Sequence, residues 1–341
     1  MHTTSILSRG LIVAAMTAFG VSASATAHAQ DAKTIRWGNT GAASVPQGLS
    51  KIVSLDDELQ KKHGVKLEIT DFRGNSANCM AALIADAVDV CQTGITTGLS
   101  AIAEGGEFKS FATMGGQVQQ IVVGKAAAEK AGIDVNAPVN ERIAKLKGLQ
   151  IVGSGPGTPN YLVLNFILNR GGLTINDVNF RTLVDIVAMN EGVRNGQIDG
   201  TFWSVGGMGP ALSDGSGVLV LSLARGDIPE IKDVPLTAVF AKTAWLEKNK
   251  AAAKAAKEAM KEAVAKLRAD PQNYPAAYKQ SVMPDLDAGM WQDIISQNLP
   301  AFFADLNGTE AGWNFWIEPM KAENKPFLDR ANYANAFVNL D

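Results

Sequence analysis

The amino-acid sequence predicts an α/β protein with two lobes, each built on a mostly parallel sheet. Short apolar segments run into turns of Gly, Ser and Thr and then into helical segments, which is the pattern of parallel α/β sheets. This pattern occurs twice, once over residues 71–94 and again over residues 151–204, and each copy reaches an Asp before its closing strand. Ligands of such sheets bind at the carboxyl ends of the strands, so two lobes predict a cleft between them.

The N-terminus has the composition of a cleavable secretory signal peptide. Arg9 supplies a positive charge, residues 11–21 are apolar, and Ala27 and Ala29 form an A-x-A cleavage site. The apolar segment is shorter than the ~20 residues of a membrane-spanning helix, so a retained anchor is the less favoured alternative. We therefore expect residues 1–29 to be removed and the mature chain to work in the periplasm.

The first lobe is predicted to begin with strands separated by helices. The first connecting helix is expected over residues 49–62, with Gly64 ending it and His63 near the negative end of its dipole. His63 would be the single histidine left after cleavage, which argues against histidine-based triads and His-rich zinc sites. The strands predicted for this lobe are residues 34–38, 65–70, 88–92 and 111–114.

Residues 119–123 and 236–241 are predicted to be strands that pass from one lobe to the other. Such crossings assign residues 30–117 and 242–341 to lobe 1 and residues 118–241 to lobe 2. The two lobes would then be joined by a two-stranded hinge. The further strands predicted within lobe 2 include residues 149–152 and 219–223.

The C-terminal part is predicted to be helical. Residues 248–270 are rich in Ala, Lys and Glu with interspersed charges, which favours a solvated helix on the outside of a lobe. Trp313, Phe315 and Trp316 recur at helical spacing, so we expect core packing, with a wall of the cleft as the alternative.

Composition and motifs argue against nucleic-acid and cofactor binding. The net charge is -3 and charged residues make up 19% of the chain, without a basic cluster. The loop over residues 153–158 resembles a dinucleotide fingerprint, but Thr158 stands where a glycine is expected. The loop also lacks the Lys-Ser/Thr pair of a P-loop. Residues 305–309 lack the closing Glu of a calcium loop and are predicted to form a turn. We therefore expect no cofactor and no metal.

The two cysteines are predicted to lie at the same edge of the first sheet. Cys79 falls in the first turns of a helix and Cys91 near the carboxyl end of the strand that follows it. A disulfide is sterically allowed there in an oxidising compartment. Two buried thiols that behave as small hydrophobes are the alternative.

The candidate ligand-binding groups lie at helix starts. Helices that begin after Ser76, Gly94 and Thr158 would direct free N–H groups toward the same side of their sheets, an arrangement that binds carboxylate, sulfonate or phosphate. Beside these helix ends lie side chains that either contact a ligand or cap a helix. They are Thr96, Thr97, Thr158 and Asn160.

Three more side chains are candidates by their position after a strand. Arg73 lies in a turn where a cation would meet an anionic ligand, although an exposed turn arginine is equally compatible with the pattern. Trp203 would provide an apolar wall with Ser204 beside it, or else a buried core tryptophan.

The order and spacing of these segments resemble periplasmic solute-binding proteins of the nitrate, alkanesulfonate and taurine group, which have the type II binding-protein fold. The likeness covers nearly the whole mature chain. The segments that carry it are residues 41–44, 74–76, 88–90, 155–158, 195–200 and 241–249.

The resemblance implies the substrate-binding component of an ABC importer, a monomer that closes on a small molecule and delivers it to an inner-membrane permease. Residues 203–207 depart from the sequence of an aromatic residue followed by Asp-Pro that many relatives have, so the identity of the ligand stays open. Because the predicted loops contain few basic residues, a monoanion or a largely neutral heteroaromatic ligand is favoured over a dianion. The binding residues that the resemblance implies are Gly41, Ala42, Ala43, Ser44, Asn75, Ser76, Thr96, Thr97, Thr158, Pro159, Asn160, Trp203 and Ser204.

Two other classes of protein are compatible with this pattern. A TRAP-type receptor of the group that lacks the long connecting helix has a similar two-lobed fold. An exported enzyme on the same fold, such as a dehydratase, would need a carboxylate of raised pKa in the cleft, and Asp185 is the best-placed candidate.

Overall fold

The computed structural model describes residues 32–41, 44–321 and 324–341, so the predicted signal peptide lies outside the described residues. Ten strands within these ranges form two five-stranded sheets, both flanked by helices, which confirms the predicted fold class. The strands are β1 (Lys33–Asn39), β2 (Val65–Asp71), β3 (Val90–Gly94), β4 (Phe108–Gly115), β5 (Gln119–Gly124), β6 (Ile151–Gly153), β7 (Arg181–Thr182), β8 (Gly200–Ser204), β9 (Gly217–Ser222) and β10 (Thr237–Lys242).

The two sheets have the same topology. The first sheet has the order β2-β1-β3-β10-β4, and the second has the order β7-β6-β8-β5-β9. In each sheet the fourth strand of the order is antiparallel to both of its neighbours, and the remaining strands run parallel to one another. The antiparallel strands are those that follow the passages between sheets, residues 116–118 before β5 and residues 223–236 before β10.

The two passages are tied to each other by a buried side chain. Gln117 lies in the first passage, and its amide Nε2 donates to the carbonyl oxygen of Val234 in the second at 2.8 Å. The strands predicted to cross, residues 119–123 and 236–241, correspond to β5 and β10 with shifts of one residue. Each of them lies within one sheet, so the chain crosses in the two passages and not in the strands themselves. Hinge motion about these passages stays a prediction.

Helices connect the strands and cover the faces of both sheets. Short 3₁₀ helices lie between several of them, the first at Val45–Gln47. The α-helices are α1 (Leu49–Ser54), α2 (Asp57–His63), α3 (Ser76–Ile84), α4 (Ile95–Ala103), α5 (Lys125–Ala131), α6 (Val139–Ala144), α7 (Pro159–Arg170), α8 (Ile186–Arg194), α9 (Gly209–Ser213), α10 (Thr243–Ala269), α11 (Ala276–Val282), α12 (Ala288–Asn298), α13 (Glu310–Asn314), α14 (Ile317–Lys321) and α15 (Tyr333–Ala336).

The single helix predicted over residues 49–62 is wrong, because two helices, α1 and α2, occupy this segment. The carboxylate of Asp56 accepts a hydrogen bond from the N–H of Leu59 at 2.9 Å and so caps the start of α2. Gly64 ends α2 with a φ of 65°, as the sequence predicts. The Nε2 atom of His63 lies 2.9 Å from a carboxylate oxygen of Glu262, so this side chain contacts α10.

The prediction that the Ala-rich helix is solvated is wrong for one of its faces. Ala256, Met260 and Leu267 of α10 are buried in the core beside the first sheet. Lys257 is buried on the same helix, and its ammonium donates to Asn307 Oδ1 at 2.5 Å. Burial lowers the pKa of Lys257, since desolvation outweighs the attraction of nearby carboxylates.

The C-terminal tryptophans are core residues, as predicted. Trp313 and Trp316 are fully buried, and the indole N–H of Trp316 donates to the carbonyl oxygen of Pro235 at 3.0 Å. Phe315 packs edge-to-face on Phe166 of α7, with ring centroids 5.7 Å apart. The C-terminal segment therefore also contacts a helix beside the second sheet.

Of the two alternatives for the cysteines, the structure has the disulfide. Cys79 of α3 is bonded to Cys91 of β3, with their Cα atoms 5.9 Å apart and both side chains buried. The bond fixes the first turns of α3 against the first sheet. Among the described residues, no helix has both the length and the apolar composition needed to cross a membrane.

Candidate functional site

A cavity of about 500 Å³ lies between the carboxyl ends of the parallel strands of the two sheets. The first-sheet side follows β1, β2 and β3, and the second-sheet side follows β6, β7 and β8. Both sheets therefore present the edge at which α/β proteins bind ligands. The lining residues are Thr40, Gly41, Ser44, Gln47, Asp71, Arg73, Gly74, Ser76 and Gly94 on the first-sheet side, Ser154, Thr158, Pro159, Asn160, Val184, Asp185, Ile186, Val187, Trp203 and Ser204 on the second, and Leu236 and Thr237 where the chain returns.

Arg73 and Ser76 lie on the first-sheet side of the cavity. Arg73 has a φ of 48°, and its backbone N–H donates to Asp71 Oδ1 at 2.8 Å, which fixes the turn after β2. Its guanidinium makes no hydrogen bond or ion pair with any residue that the structure describes. Ser76 begins α3, and the side chain of Asn75 caps that helix by accepting from the N–H of Asn78 at 2.9 Å. Asn75 does not line the cavity, so it orients the helix end instead.

Gly41 and Ser44 line the cavity in the segment after β1, together with Gln47. Ala42 and Ala43 lie outside the described residues. Gln47 was not among the residues expected from the sequence. A glutamine at the end of a short 3₁₀ helix carries no local signal of this role.

Thr96 and Thr97 do not line the cavity, although the sequence pattern places them at a helix start. Thr96 is buried, and its hydroxyl donates to the carbonyl oxygen of Gly157 at 2.8 Å. This bond joins α4 beside the first sheet to the loop before α7 beside the second. A Cβ atom at Gly94 would lie 2.8 Å from Pro159 Cδ, so the two sides touch here.

Thr158 and Asn160 line the cavity from the start of α7. The hydroxyl of Thr158 accepts from the N–H of Tyr161 at 3.3 Å and donates to the carbonyl oxygen of Gly155 at 2.7 Å, so it caps the helix. Asn160 Oδ1 accepts from Gln119 Nε2 at 2.9 Å. Because Gln119 begins the strand after the first passage, it orients the Asn160 amide in the cavity.

The second-sheet side also has an apolar wall, of which the sequence indicated Trp203 alone. Val184, Ile186 and Val187 line the cavity around the start of α8, and Trp203 lies half-buried at the end of β8. Val184 is 40% exposed and Val187 is 73% exposed. An apolar ligand surface would remove these side chains from water.

Asp185 lies in the same wall, where it caps α8. Its Oδ1 accepts from the N–H of Ala188 at 2.9 Å. Together with Asp71 it opposes the positive charge of Arg73, so the charged side chains of the cavity carry one more negative than positive charge. The N-termini of α3 and α7 add partial positive charge. This balance suits a ligand with a polar head and little net charge.

Within residues 32–41, 44–321 and 324–341, no group of three or more His, Cys, Asp or Glu side chains is arranged to hold a metal ion. The cavity offers hydroxyls, amides, one guanidinium and an apolar wall. Groups of these kinds can hold a small molecule by hydrogen bonds and apolar contact.

Comparisons with known proteins agree with this architecture. The sequence model of the NMT1-like family matches residues 42–291. None of the curated proteins is detectably similar in sequence.

Several solved structures have the same fold. A protein from Bordetella bronchiseptica RB50 superposes with a TM-score of 0.72 at 21% identity, covering 91% of this chain and 95% of that chain. The periplasmic aliphatic sulphonate binding protein SsuA from Escherichia coli superposes with a TM-score of 0.68 at 17% identity, covering 89% of this chain and 98% of that chain. The periplasmic nitrate-binding protein NrtA from Synechocystis PCC 6803 superposes with a TM-score of 0.63 at 17% identity, covering 87% of this chain and 85% of that chain. The expected binding-protein fold is confirmed.

Proposed function

This chain belongs to the NMT1-like family, and we propose that it is the periplasmic substrate-binding component of an ABC importer. In this role it captures a small organic solute between its two sheets and delivers it to an inner-membrane permease. Its two lobes are centred on the first and the second sheet, with their boundaries in the passages at residues 116–118 and 223–236. β10 therefore belongs to the first lobe, and the boundary after residue 241 that the sequence suggested moves to the second passage. The mature monomer begins at Gln30.

The cavity between the two sheets is the observation that carries this proposal. Each sheet contributes about half of its lining, and the halves touch at Thr96 and Gly157. A solute held by both halves has its full set of contacts only when the halves are together. Its binding therefore shifts an open–closed equilibrium by the difference in its affinity for the two states, and the permease recognises the closed state.

The size and charge of the cavity define the class of solute. A volume of about 500 Å³ corresponds to roughly seventeen waters at ~30 Å³ each, which one nitrate ion would leave mostly unfilled. It lies within the ~300–1,000 Å³ of typical small-molecule sites. Two carboxylates against one guanidinium disfavour a dianion. We propose a solute with an apolar body and one polar or singly anionic head, such as an organosulfonate, an organic monocarboxylate or a heteroaromatic.

A thermal-shift screen tests the proposal. The compounds are alkanesulfonates, monocarboxylates, pyrimidines and nitrate, each compared with the protein alone. A solute at ~100 times its Kd adds ~2.7 kcal/mol to the free energy of unfolding. We expect such a shift from an organic compound and none from nitrate. Absence of any shift would contradict the proposal.

Chemical recovery of the solute distinguishes binding from catalysis. The compound that shifts the melting temperature is incubated with the protein and analysed by NMR, and we expect it to be recovered unchanged. Conversion to a product would indicate the exported-enzyme alternative.

The type of membrane partner needs a separate experiment. Stimulation of a reconstituted importer ATPase by the solute-loaded protein separates an ABC partner from a TRAP partner. Mass spectrometry of periplasmic extract tests the predicted mature N-terminus.

A further inference from the structure

Two buried amide side chains lie behind the first-sheet side of the cavity. Asn39 ends β1, Gln92 is in β3, and the two are paired in the first sheet. Both are 0% exposed, and neither lines the cavity. A buried amide must have partners for its oxygen and its NH₂ group, because an unpaired polar group costs ~1–3 kcal/mol there. The partners of these amides therefore show which parts of the chain they hold.

Both amides donate to the same backbone carbonyl. Asn39 Nδ2 and Gln92 Nε2 each lie 2.8 Å from the carbonyl oxygen of Gln47. A carbonyl oxygen has two lone pairs, so both are used. Gln47 lines the cavity, and its backbone position is set by these two donors.

Asn39 also holds the other end of the same segment. Its Oδ1 accepts from the N–H of Gly41 at 2.7 Å. Gly41 also lines the cavity. One asparagine side chain therefore bonds to two cavity-lining positions, Gly41 soon after β1 and Gln47 at the end of the first 3₁₀ helix.

The orientation of the Gln92 amide follows from its other neighbours. Its Oε1 accepts from Trp37 Nε1 at 3.1 Å and from Ser50 Oγ at 2.7 Å. An indole N–H can only donate, so the amide oxygen must face Trp37 and the NH₂ group must face Gln47. A glutamate carboxylate would offer no donor here, and methionine would offer neither group.

We propose that Asn39 and Gln92 form an amide clamp that positions Gly41 and Gln47 for solute binding. Neither side chain reaches the cavity, so both are positioning residues that act through the backbone in front of them. A segment held in its bound geometry before the solute arrives loses less conformational entropy on binding. The effect on affinity rests on the proposed function, whereas the clamp itself does not.

Gln92→Met tests the clamp, and Gln60→Met is its matched control. Gln60 is also a buried glutamine near the first sheet, and its amide accepts from the N–H of Leu67 at 2.8 Å and donates to the carbonyl oxygen of Ser54 at 3.2 Å. Both substitutions remove a paired buried amide of the same size. Only the Gln92 amide contacts a cavity-lining segment.

Hydrogen exchange read at single amides is the decisive measurement, and it needs no solute. In Gln92→Met we expect the N–H groups of Gly41 and Gln47 to exchange at least tenfold faster than in the wild type. In Gln60→Met they should exchange at the wild-type rate even if the melting temperature falls equally. Unchanged exchange at both positions in Gln92→Met would overturn the clamp, whatever the solute proves to be.

Gln92→Glu tests the direction of the amide. A protonated carboxyl still has one donor and one acceptor, while a carboxylate turns an oxygen toward the Gln47 carbonyl. Burial raises the pKa of the introduced carboxyl, so the clamp is present at low pH and is lost as pH rises through that pKa. After correction for intrinsic rates, exchange at Gln47 should be near wild type at about pH 5 and at least tenfold faster at about pH 8. Fast exchange at every pH would contradict the assigned direction.

Affinity provides the functional readout. With MOPS as the probe in calorimetry, Gln92→Met should bind at least tenfold more weakly than Gln60→Met. Equal affinities would overturn the claim that the clamp serves solute binding. Failure of the wild type to bind any organosulfonate would remove organosulfonates from the proposed solute class; the affinities of the two variants would then be compared with the best compound of the thermal-shift screen, and the exchange result would stand.

Discussion

The two sides of the cavity are built differently, although the two sheets share one topology. On the first-sheet side, buried amides hold Gly41 and Gln47, and the Cys79–Cys91 disulfide fixes the helix that begins at Ser76. On the second-sheet side, Val187 is 73% exposed in an apolar wall that lacks a covering partner among the described residues. In the proposed function, the first side is therefore positioned before binding, while the second gains its burial from the solute.

We expect the largest effect, a loss of stability on the first-sheet side, when the disulfide is removed. Replacing Cys79 and Cys91 together by Ser removes the covalent bond between two residues that are 12 positions apart in the sequence. The chain-entropy relation gives a loss of about 3 kcal/mol in the free energy of unfolding. Denaturant titration measures it, and the wild type in reductant is the control. A loss below ~1 kcal/mol would show that α3 is held without the bond.

A bulky side chain at the start of α7 should abolish tight binding. Thr158→Trp places an indole in the cavity and obstructs its closure, so we expect at least a tenfold loss of affinity, about 1.4 kcal/mol. The matched control is Thr174→Trp, because Thr174 also caps a short helix but does not line the cavity. Calorimetry with the best compound of the thermal-shift screen measures both variants. Undiminished binding in Thr158→Trp would place the site elsewhere.

The apolar wall should contribute to affinity without contributing to stability. Val187→Ser removes an exposed apolar side chain that a solute would cover, and burial of a valine is worth ~1.5 kcal/mol at most here. We expect a three- to tenfold weaker Kd with an unchanged melting temperature. Val135→Ser is the control, since Val135 is 42% exposed and outside the cavity. Equal affinity of the two variants would remove the contrast between the two sides.

Removing the hydrogen bond between the two sides should weaken affinity by a smaller factor. Thr96→Val removes the hydroxyl that donates to Gly157 O, and a typical hydrogen bond is worth ~1 kcal/mol. We expect a roughly fivefold weaker affinity because the closed arrangement loses one bond. Thr201→Val is the control, since the buried Thr201 hydroxyl has no partner among the described residues. If both variants bind alike, the Thr96 bond does not stabilise closure.

The smallest effect is expected at Asp185. Asn also caps helices well, so Asp185→Asn should keep α8 and change the affinity for a neutral or monoanionic solute by less than about threefold. Calorimetry and NMR recovery of the solute check this. Loss of a measurable chemical conversion in this variant would support the enzyme alternative.

The strands were predictable because their signals are local. Apolar runs ending in Gly, Ser and Thr turns gave β1, β2, β5 and β10 to within about two residues at each end, and the N-cap role of Thr158 follows from its own position. The break between α1 and α2 also had a local signal in Asp56, which the strong helical pattern around it obscured.

The rest of the site depends on contacts between distant parts of the chain. The buried face of α10 appears only when its Ala and Met residues meet the first sheet. Thr96 has the sequence context of a ligand contact, yet its partner is Gly157. The roles of Gln47 and Gln92, and of Val184, Ile186 and Val187 in the apolar wall, likewise depend on which segments the fold brings together, and no spacing along the sequence encodes that.

Small-angle scattering with and without solute tests the central claim most directly. We predict that the best compound of the thermal-shift screen lowers the radius of gyration of the wild type, with little change in helix content by circular dichroism. The same compound should leave the radius of Thr158→Trp unchanged. A wild-type radius that stays constant while calorimetry shows the solute bound at saturation would contradict capture by closure of the two sides.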